Sequence, residues 1–219
     1  MRDSMSSILI RRANMVSGGN SPRLPAGYTE LAYIESSGTQ WIDSGIKDVV
    51  NFKAEIDFQV TQLASSSAPT IVGAAEASSK YKVVLAYSTS SNIFYSQCGG
   101  SGLSTRLIAS DTSRHFVVVT NTSDSQNIQV DGATYTSSYA ITNTKTVSLA
   151  LFARKQTSGS ANNYVSMKLW SAKLYSSGNL VKDLVPAMRD SDSVVGMYDL
   201  VSDTFLTNAG TGTFNYGIL

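Results

Sequence analysis

Five aromatic side chains, Trp41, Tyr87, Tyr95, Tyr139 and Trp170, stand among amides that include Asn92, Gln97, Asn162 and Asn163. A ring offers a flat apolar face and an amide hydrogen-bonds hydroxyl groups, which together supply the chemistry of a glycan site. Trp41, Tyr87, Tyr95 and Trp170 are the candidates for glycan contact, with packing in the core or on a sheet surface as the competing role of each. The stretch 33–46, YIESSGTQWIDSGI, concentrates Glu35, Gln40, Trp41 and Asp43 in fourteen residues. Strand alternation there puts Gln40 and Ile42 on one face and Trp41 and Asp43 on the other. The two carboxylates then read as turn caps or neighbours' ion-pair partners, and Trp41 alone keeps a claim to a ligand.

Other chemistries find little support. His115 is the only histidine and Cys98 the only cysteine, so no intrachain disulfide, Cys-based zinc site or histidine pair for a metal can form. Calcium ligation by Asp43, Asp48 or Asp111 lacks the closely spaced acidic run that a calcium loop uses. No phosphate-loop pattern occurs, and neither a metal nor a cofactor is expected. A net charge of +1 argues against nucleic acid as a partner. No apolar run approaches the roughly 18–20 residues of a membrane-spanning helix, so no membrane partner is expected.

Strands must position these groups. Ser and Thr are abundant while Lys and Glu are sparse, which suits strands and turns. In 50–60, VNFKAEIDFQV, the residues Val50, Phe52, Ala54, Ile56, Phe58 and Val60 fall on one face and Asn51, Lys53, Glu55, Asp57 and Gln59 on the other. Further strands are predicted over 69–75, 80–88, 91–97, 103–109, 114–122, 146–154, 163–175, 179–185, 194–199 and 204–207. Asp131-Gly132 between alternating runs predicts a tight hairpin turn with positive φ. No segment has convincing helical periodicity. Many short strands with turn signals about every ten residues give an all-β, two-sheet antiparallel sandwich spanning 23–219.

Residues 1–22 have a different character. Ile8-Leu9-Ile10 is too short for the apolar core of a secretion signal, and Arg11-Arg12 follow where a cleavage site would lie. The flexible SGGNS and Pro22 come next. Ile8, Leu9, Ile10, Arg11 and Arg12 therefore read as an extended N-terminal arm that docks on another subunit, gaining affinity through its linkage to the domain.

The segment 24–46, LPAGYTELAYIESSGTQWIDSGI, resembles the opening of a concanavalin A-like, laminin-G-like jelly-roll domain of the kind found in phage and prophage structural proteins of gut bacteria. The segment 173–214, with LVPAMR and GMYDLVSDTFLTNAGTG, resembles that group's ending. The resemblance implies a jelly roll in which the opening and closing motifs touch. It also implies a non-enzymatic virion protein, a capsid decoration or head or tail fibre component. Such a protein is made in the bacterial cytoplasm, is a homo-oligomer, and is held to other virion proteins by its arm. Relatives of this fold also include lectins, so the alternative is a carbohydrate-binding adhesin for bacterial or mucosal glycans. A third function, glycoside hydrolysis, enters because Glu55-Ile56-Asp57-Phe58-Gln59 resembles the E-x-D-x-E strand of β-glucanases. That resemblance makes Glu55 the nucleophile, but the acid/base position holds Gln59, and an amide cannot protonate a leaving group.

Overall fold

The computed structural model describes residues 23–63, 68–77, 80–89, 91, 93–99, 105–109, 111–138, 141 and 146–219. The expected arm, with Ile8 to Arg12, lies outside the described residues, as do Asn92 and Tyr139. In chain order the described strands are β1 (Tyr28–Ser37), β2 (Ile42–Asp43), β3 (Phe52–Gln62), β4 (Thr70–Ala77), β5 (Lys80–Ser88) and β6 (Ile93–Gly99). Next come β7 (Thr105–Ala109), β8 (Arg114–Asn121), β9 (Ser125–Val130), β10 (Ala133–Ser138), β11 (Ala150–Leu151) and β12 (Arg154–Gln156). The last are β13 (Ala161–Asn162), β14 (Ser166–Ser176), β15 (Asn179–Arg189), β16 (Val194–Asp199), β17 (Thr204–Thr207) and β18 (Asn215–Ile218).

Two sheets form a sandwich. The larger runs β10-β9-β8-β3-β14-β1-β15-β16-β17, with β18 on β1, and the smaller runs β13-β12-β4-β5-β6-β7, with β2 and β11 joined at β4. The alternation in β3 does what its sequence demands: Phe52, Ala54, Ile56, Phe58 and Val60 are buried between the sheets, and the residues between them are half-buried on the outer face. Pairing is antiparallel except between β12 and β4, which run parallel. Asp131 and Gly132 turn the β9–β10 hairpin at φ +47° and +93°, the left-handed values their residue types tolerate.

The two ends of the domain meet. The Ala209 N–H donates to the Trp41 carbonyl (2.8 Å), the Trp41 N–H to Asn208 Oδ1 (3.1 Å), and Gln40 Nε2 to the Thr213 carbonyl (3.1 Å). Gln40 Oε1 in turn accepts from the Ser37 N–H (2.9 Å) and the Ser36 hydroxyl (3.0 Å), closing the turn that the SSG sequence begins. The alternation expected for 40–43 does not hold. Only Ile42 and Asp43 form a strand, and Gln40, Trp41 and Ile42 are all buried because the closing segment covers Trp41. The predicted strand 146–154 is also broken, into β11 and β12.

Two buried polar features sit inside. Lys82 and Glu76 form an ion pair at 2.6 Å in which both side chains are almost fully buried, and Lys82 Nζ also donates to the Lys47 carbonyl (2.9 Å). Burial pulls the Lys82 ammonium below its ordinary range, opposed by Glu76, and the surrounding acceptors keep the buried charge satisfied. Cys98 is buried beside Ser96, Asn121 and Gln126. Burial pushes its thiol up to about 12 against the hydrogen bonds those three offer.

Native protein at pH 8 is therefore expected to leave Cys98 unlabelled by a thiol reagent, with one equivalent reacting on unfolding. Prompt labelling of the native fold would contradict the placement. Gly210 packs against the Thr39 carbonyl, and an added Cβ would also lie 2.9 Å from Trp41 Cδ1. Gly210→Ala should cost about 1–3 kcal/mol, read as a lower urea midpoint at unchanged slope.

Candidate functional site

Strand alternation in β6 separates Phe94, Ser96 and Cys98, which are buried, from Tyr95 and Gln97, which stand half-buried on the outer face of the smaller sheet. Register carries this face across the sheet. Gln97 lies opposite Val83, Val83 opposite Gly73, and Gly73 opposite Arg154, while Tyr95 lies opposite Ala86 and Tyr81 opposite Ala75. Ala75, Val83 and Ala86 are buried yet lie outside the core cluster between the sheets. They form a floor of small residues, shielded by the larger side chains around it. Gly73 is part of this floor for a steric reason: a Cβ there would lie 2.8 Å from Thr70 Cγ2 and 3.2 Å from Val83 Cα.

Arg154 reaches this face because the chain turns sharply before it. Phe152 holds φ +69°, a conformation unfavourable for a bulky side chain, with its ring fully buried 5.0 Å from the Phe214 ring. Before that residue β11 runs antiparallel to β4; after it β12 runs parallel, placing Arg154 beside Gly73. The Arg154 guanidinium lies 5.0 Å from the Tyr81 ring centroid. Its Nε and Nη2 donate to Asn162 Oδ1 (3.3 Å) and Asn163 Oδ1 (3.1 Å), and Gln156 Nε2 also donates to Asn162 Oδ1 (2.9 Å). Burial raises the Tyr95 phenol above its ordinary range, with Arg154 opposing and Tyr81 adding to the rise, so Tyr95 stays a neutral hydroxyl at physiological pH. Among the described residues, the hydroxyls of Tyr81 and Tyr95 and the amide of Gln97 make no side-chain hydrogen bond. Two phenols, an amide and an oriented guanidinium thus stand above a buried layer of small apolar residues with hydrogen-bonding capacity to spare, an arrangement suited to a polyhydroxylated ligand.

Of the sequence candidates, the structure brings together Tyr95, Gln97, Asn162 and Asn163. It removes Tyr87, which is 1% exposed and packs at a right-angle tilt near Phe94 with its hydroxyl on the Gln62 carbonyl. It also removes Trp41, which is 6% exposed beneath the closing segment. Trp170 lies on the other sheet as the extra residue of a bulge between Leu169 and Ser171. Arg114 covers its ring at 4.1 Å and grips Asp57 through two 2.7 Å contacts, while Tyr33 packs on it at 5.3 Å. Tyr81 and Arg154 carried no sequence signal, since each reads as an ordinary strand residue.

The outer face of the larger sheet carries several internal ion pairs. Glu55 pairs with Lys53 (2.7 Å) and accepts from the Tyr175 hydroxyl (3.2 Å), and the Gln59 amide donates to the Thr112 carbonyl (2.7 Å). Glu55 and Asp57 are thus both tied to cations. His115 is buried with Nδ1 2.6 Å from Asp131 and Nε2 3.0 Å from Asp111, a bracing of the hairpin turn. Asp43 is held by Lys155 (2.5 Å) and by the Gly45 N–H (3.0 Å). Burial raises its carboxyl, but those contacts and Ser148 outweigh this and hold it below the usual range. Among the described residues no group of three potential metal ligands occurs.

Two concavities lie away from the smaller sheet's face, of about 500 Å³ beside Phe52 and Tyr175 and about 600 Å³ beside Arg189 and Asn208. Their charged groups are already paired, Lys53 with Glu55 and Arg189 with Asp192. Asn208 is likewise committed, to the Gly212 carbonyl and the Gly210 N–H. The first also includes Asn121, whose Nδ2 is buried without a hydrogen-bond partner of ordinary geometry, but neither holds an uncompensated cation like Arg154.

No family model matches the sequence, and no curated protein matches it significantly. Solved structures do match the fold. A Bacteroides ovatus protein provisionally assigned as carbohydrate-binding superposes with a TM-score of 0.57 at 12% identity, over 86% of this chain, which spans 61% of that protein's length. The CBM40 module of the Ruminococcus gnavus IT-sialidase gives 0.50 at 11% identity over 68% of this chain and 90% of the module. A Trypanosoma rangeli sialidase, in complex with 2,3-difluorosialic acid, gives 0.51 at 11% identity over 71% of this chain and 27% of its own. At these identities the likeness establishes the β-sandwich fold shared by all three.

Trp41→Ala is expected to lose about 3–5 kcal/mol of stability as a core truncation. Trp170→Ala should lose less than half of that, since its ring is only half-buried. Equal losses in urea titrations would contradict the two placements.

Proposed function

We propose that this chain is a carbohydrate-binding module whose ligand face is the outer surface of the smaller sheet. The observation that carries the reading is the uncommitted hydrogen-bonding capacity of Tyr81, Tyr95, Gln97 and Arg154 above the floor of Gly73, Ala75, Val83 and Ala86. A sugar on this face would meet the Tyr81 and Tyr95 side chains with donors and acceptors beside them, held in place by the buried small residues beneath. Names among the structural neighbours, a provisionally assigned carbohydrate-binding protein and a CBM40 module, support the same reading. Binding without turnover fits the engagement of Glu55 and Asp57 by Lys53 and Arg114. No observation in the described residues favours the virion-structural reading, whose docking arm lies outside them.

The full chain applied to a broad glycan array is expected to bind at least one oligosaccharide family. Tyr81→Ala and Tyr95→Ala should each weaken that binding by about ten-fold in calorimetric titration, the size of effect expected from losing one aromatic contact. Absence of binding to every glycan at millimolar concentration, or binding indifferent to both substitutions, would overturn the reading.

A further inference from the structure

Where an arginine side chain is described in this chain, it is as a rule neutralised on the spot. Arg23 pairs with Glu30, Arg114 holds both oxygens of Asp57, and Arg189 holds both oxygens of Asp192. Arg154 departs from the pattern. Its two hydrogen bonds go to the neutral amide oxygens of Asn162 and Asn163, and no carboxylate of the described residues lies within ion-pair distance.

The difference has a physical consequence. Amide acceptors fix the plane of the guanidinium and leave its charge uncompensated, whereas a carboxylate would have cancelled it. With two of its five N–H groups engaged, the fork keeps donors for a planar, two-oxygen acceptor. The group is half-buried beside the Tyr81 ring, where a charge is screened less than on an open surface. The register also places no described carboxylate on this face: Gly73, Ala75, Val83, Ala86 and Gln97 surround the position. A held, uncompensated cation within reach of neutral sugar-reading groups is a site for an anion that arrives with the ligand.

We infer that this face selects acidic sugars, with the carboxylate of a uronic or nonulosonic acid residue seated on Arg154 and the hydroxyls read by Tyr95 and Gln97. The inference rests on the carbohydrate-binding reading given above and names the ligand class within it. Asn162 and Asn163 act here as positioning residues that aim the guanidinium without quenching it.

The test is an array and calorimetric titration of the full 219-residue chain. Uronic- and nonulosonic-acid oligosaccharides are each presented beside their own methyl esters, which keep the shape and lose the charge. At least one acid form is expected to bind about ten-fold or more tightly than its ester, as one charge-assisted pair would give. Arg154→Gln should abolish that preference. Asn162→Asp should do the same by a separate route, placing a carboxylate on Arg154 while keeping side-chain shape, so a folding defect in one variant does not spoil the test. Esters or neutral glycans bound as tightly as acids would overturn the acidic-sugar inference and leave the carbohydrate-binding reading standing. An acid preference that survives both substitutions would also overturn it. Binding to no glycan of any kind would remove both.

Discussion

A phenylalanine held in a left-handed backbone conformation determines where the proposed ligand face acquires its charge. Phe152 at φ +69° carries a steric cost on the order of 1–2 kcal/mol. Its ring is fully buried 5.0 Å from that of Phe214, and burying such a side chain contributes about 1.5–3 kcal/mol. The core contact outweighs the strain, and the chain reverses its direction along β4 as a result. Were Phe152 extended, the run from residue 146 would continue as a single strand and Arg154 would not stand beside Gly73. Phe214 belongs to the closing segment, which is pinned by Gln40 and by the Trp41 backbone. The contact between the two ends of the domain therefore supports, through one ring pair, the placement of a side chain on the opposite sheet's surface.

The two outer faces of the sandwich treat charge differently. On the larger sheet most cations are held by carboxylates, Lys53 with Glu55, Arg114 with Asp57 and Lys173 with Asp183, while Lys168 lies over the Tyr33 ring. Exposed pairs of this kind contribute little to stability, but each cancels its own charge. On the outer face of the smaller sheet, Arg154 has the neutral partners Asn162 and Asn163. The described ion pairs of that sheet, Lys82 with Glu76 and Lys155 with Asp43, are made by side chains that follow or precede the outward-facing positions. That asymmetry, more than any cavity, supports the proposed ligand face on the smaller sheet.

Much of the fold was legible because it follows from local rules. Period-two alternation located β3, and Asp131-Gly132 located a hairpin turn because those residues tolerate positive φ. The meeting of the two end motifs was expected from their resemblance to a jelly roll and is present in the hydrogen bonds that Ala209, Gln40 and Trp41 donate across it. The break at Phe152 was not legible, since an apolar alternating run gives no sign that a ring contact 62 residues away will bend it. The site was legible only in part. Tyr95, Gln97, Asn162 and Asn163 have the right chemistry, but residue type does not say which aromatic faces outward. Trp41 and Tyr87 have the same chemistry and are core, because the closing segment covers one and the inner face of β5 carries the other. Arg154 draws its meaning from having no acidic neighbour, a property of the packed sheet that no linear motif records.

The central claim is that ligand binds the outer face of the smaller sheet. Backbone amide shift mapping of the full chain, titrated with the acidic oligosaccharide that binds it most tightly, tests this directly. The account predicts saturable shifts concentrated at Gly73, Ala75, Tyr81, Val83, Tyr95, Gln97 and Arg154. Shifts centred instead on Lys53, Asp57 and Trp170, on the outer face of the larger sheet, would contradict it.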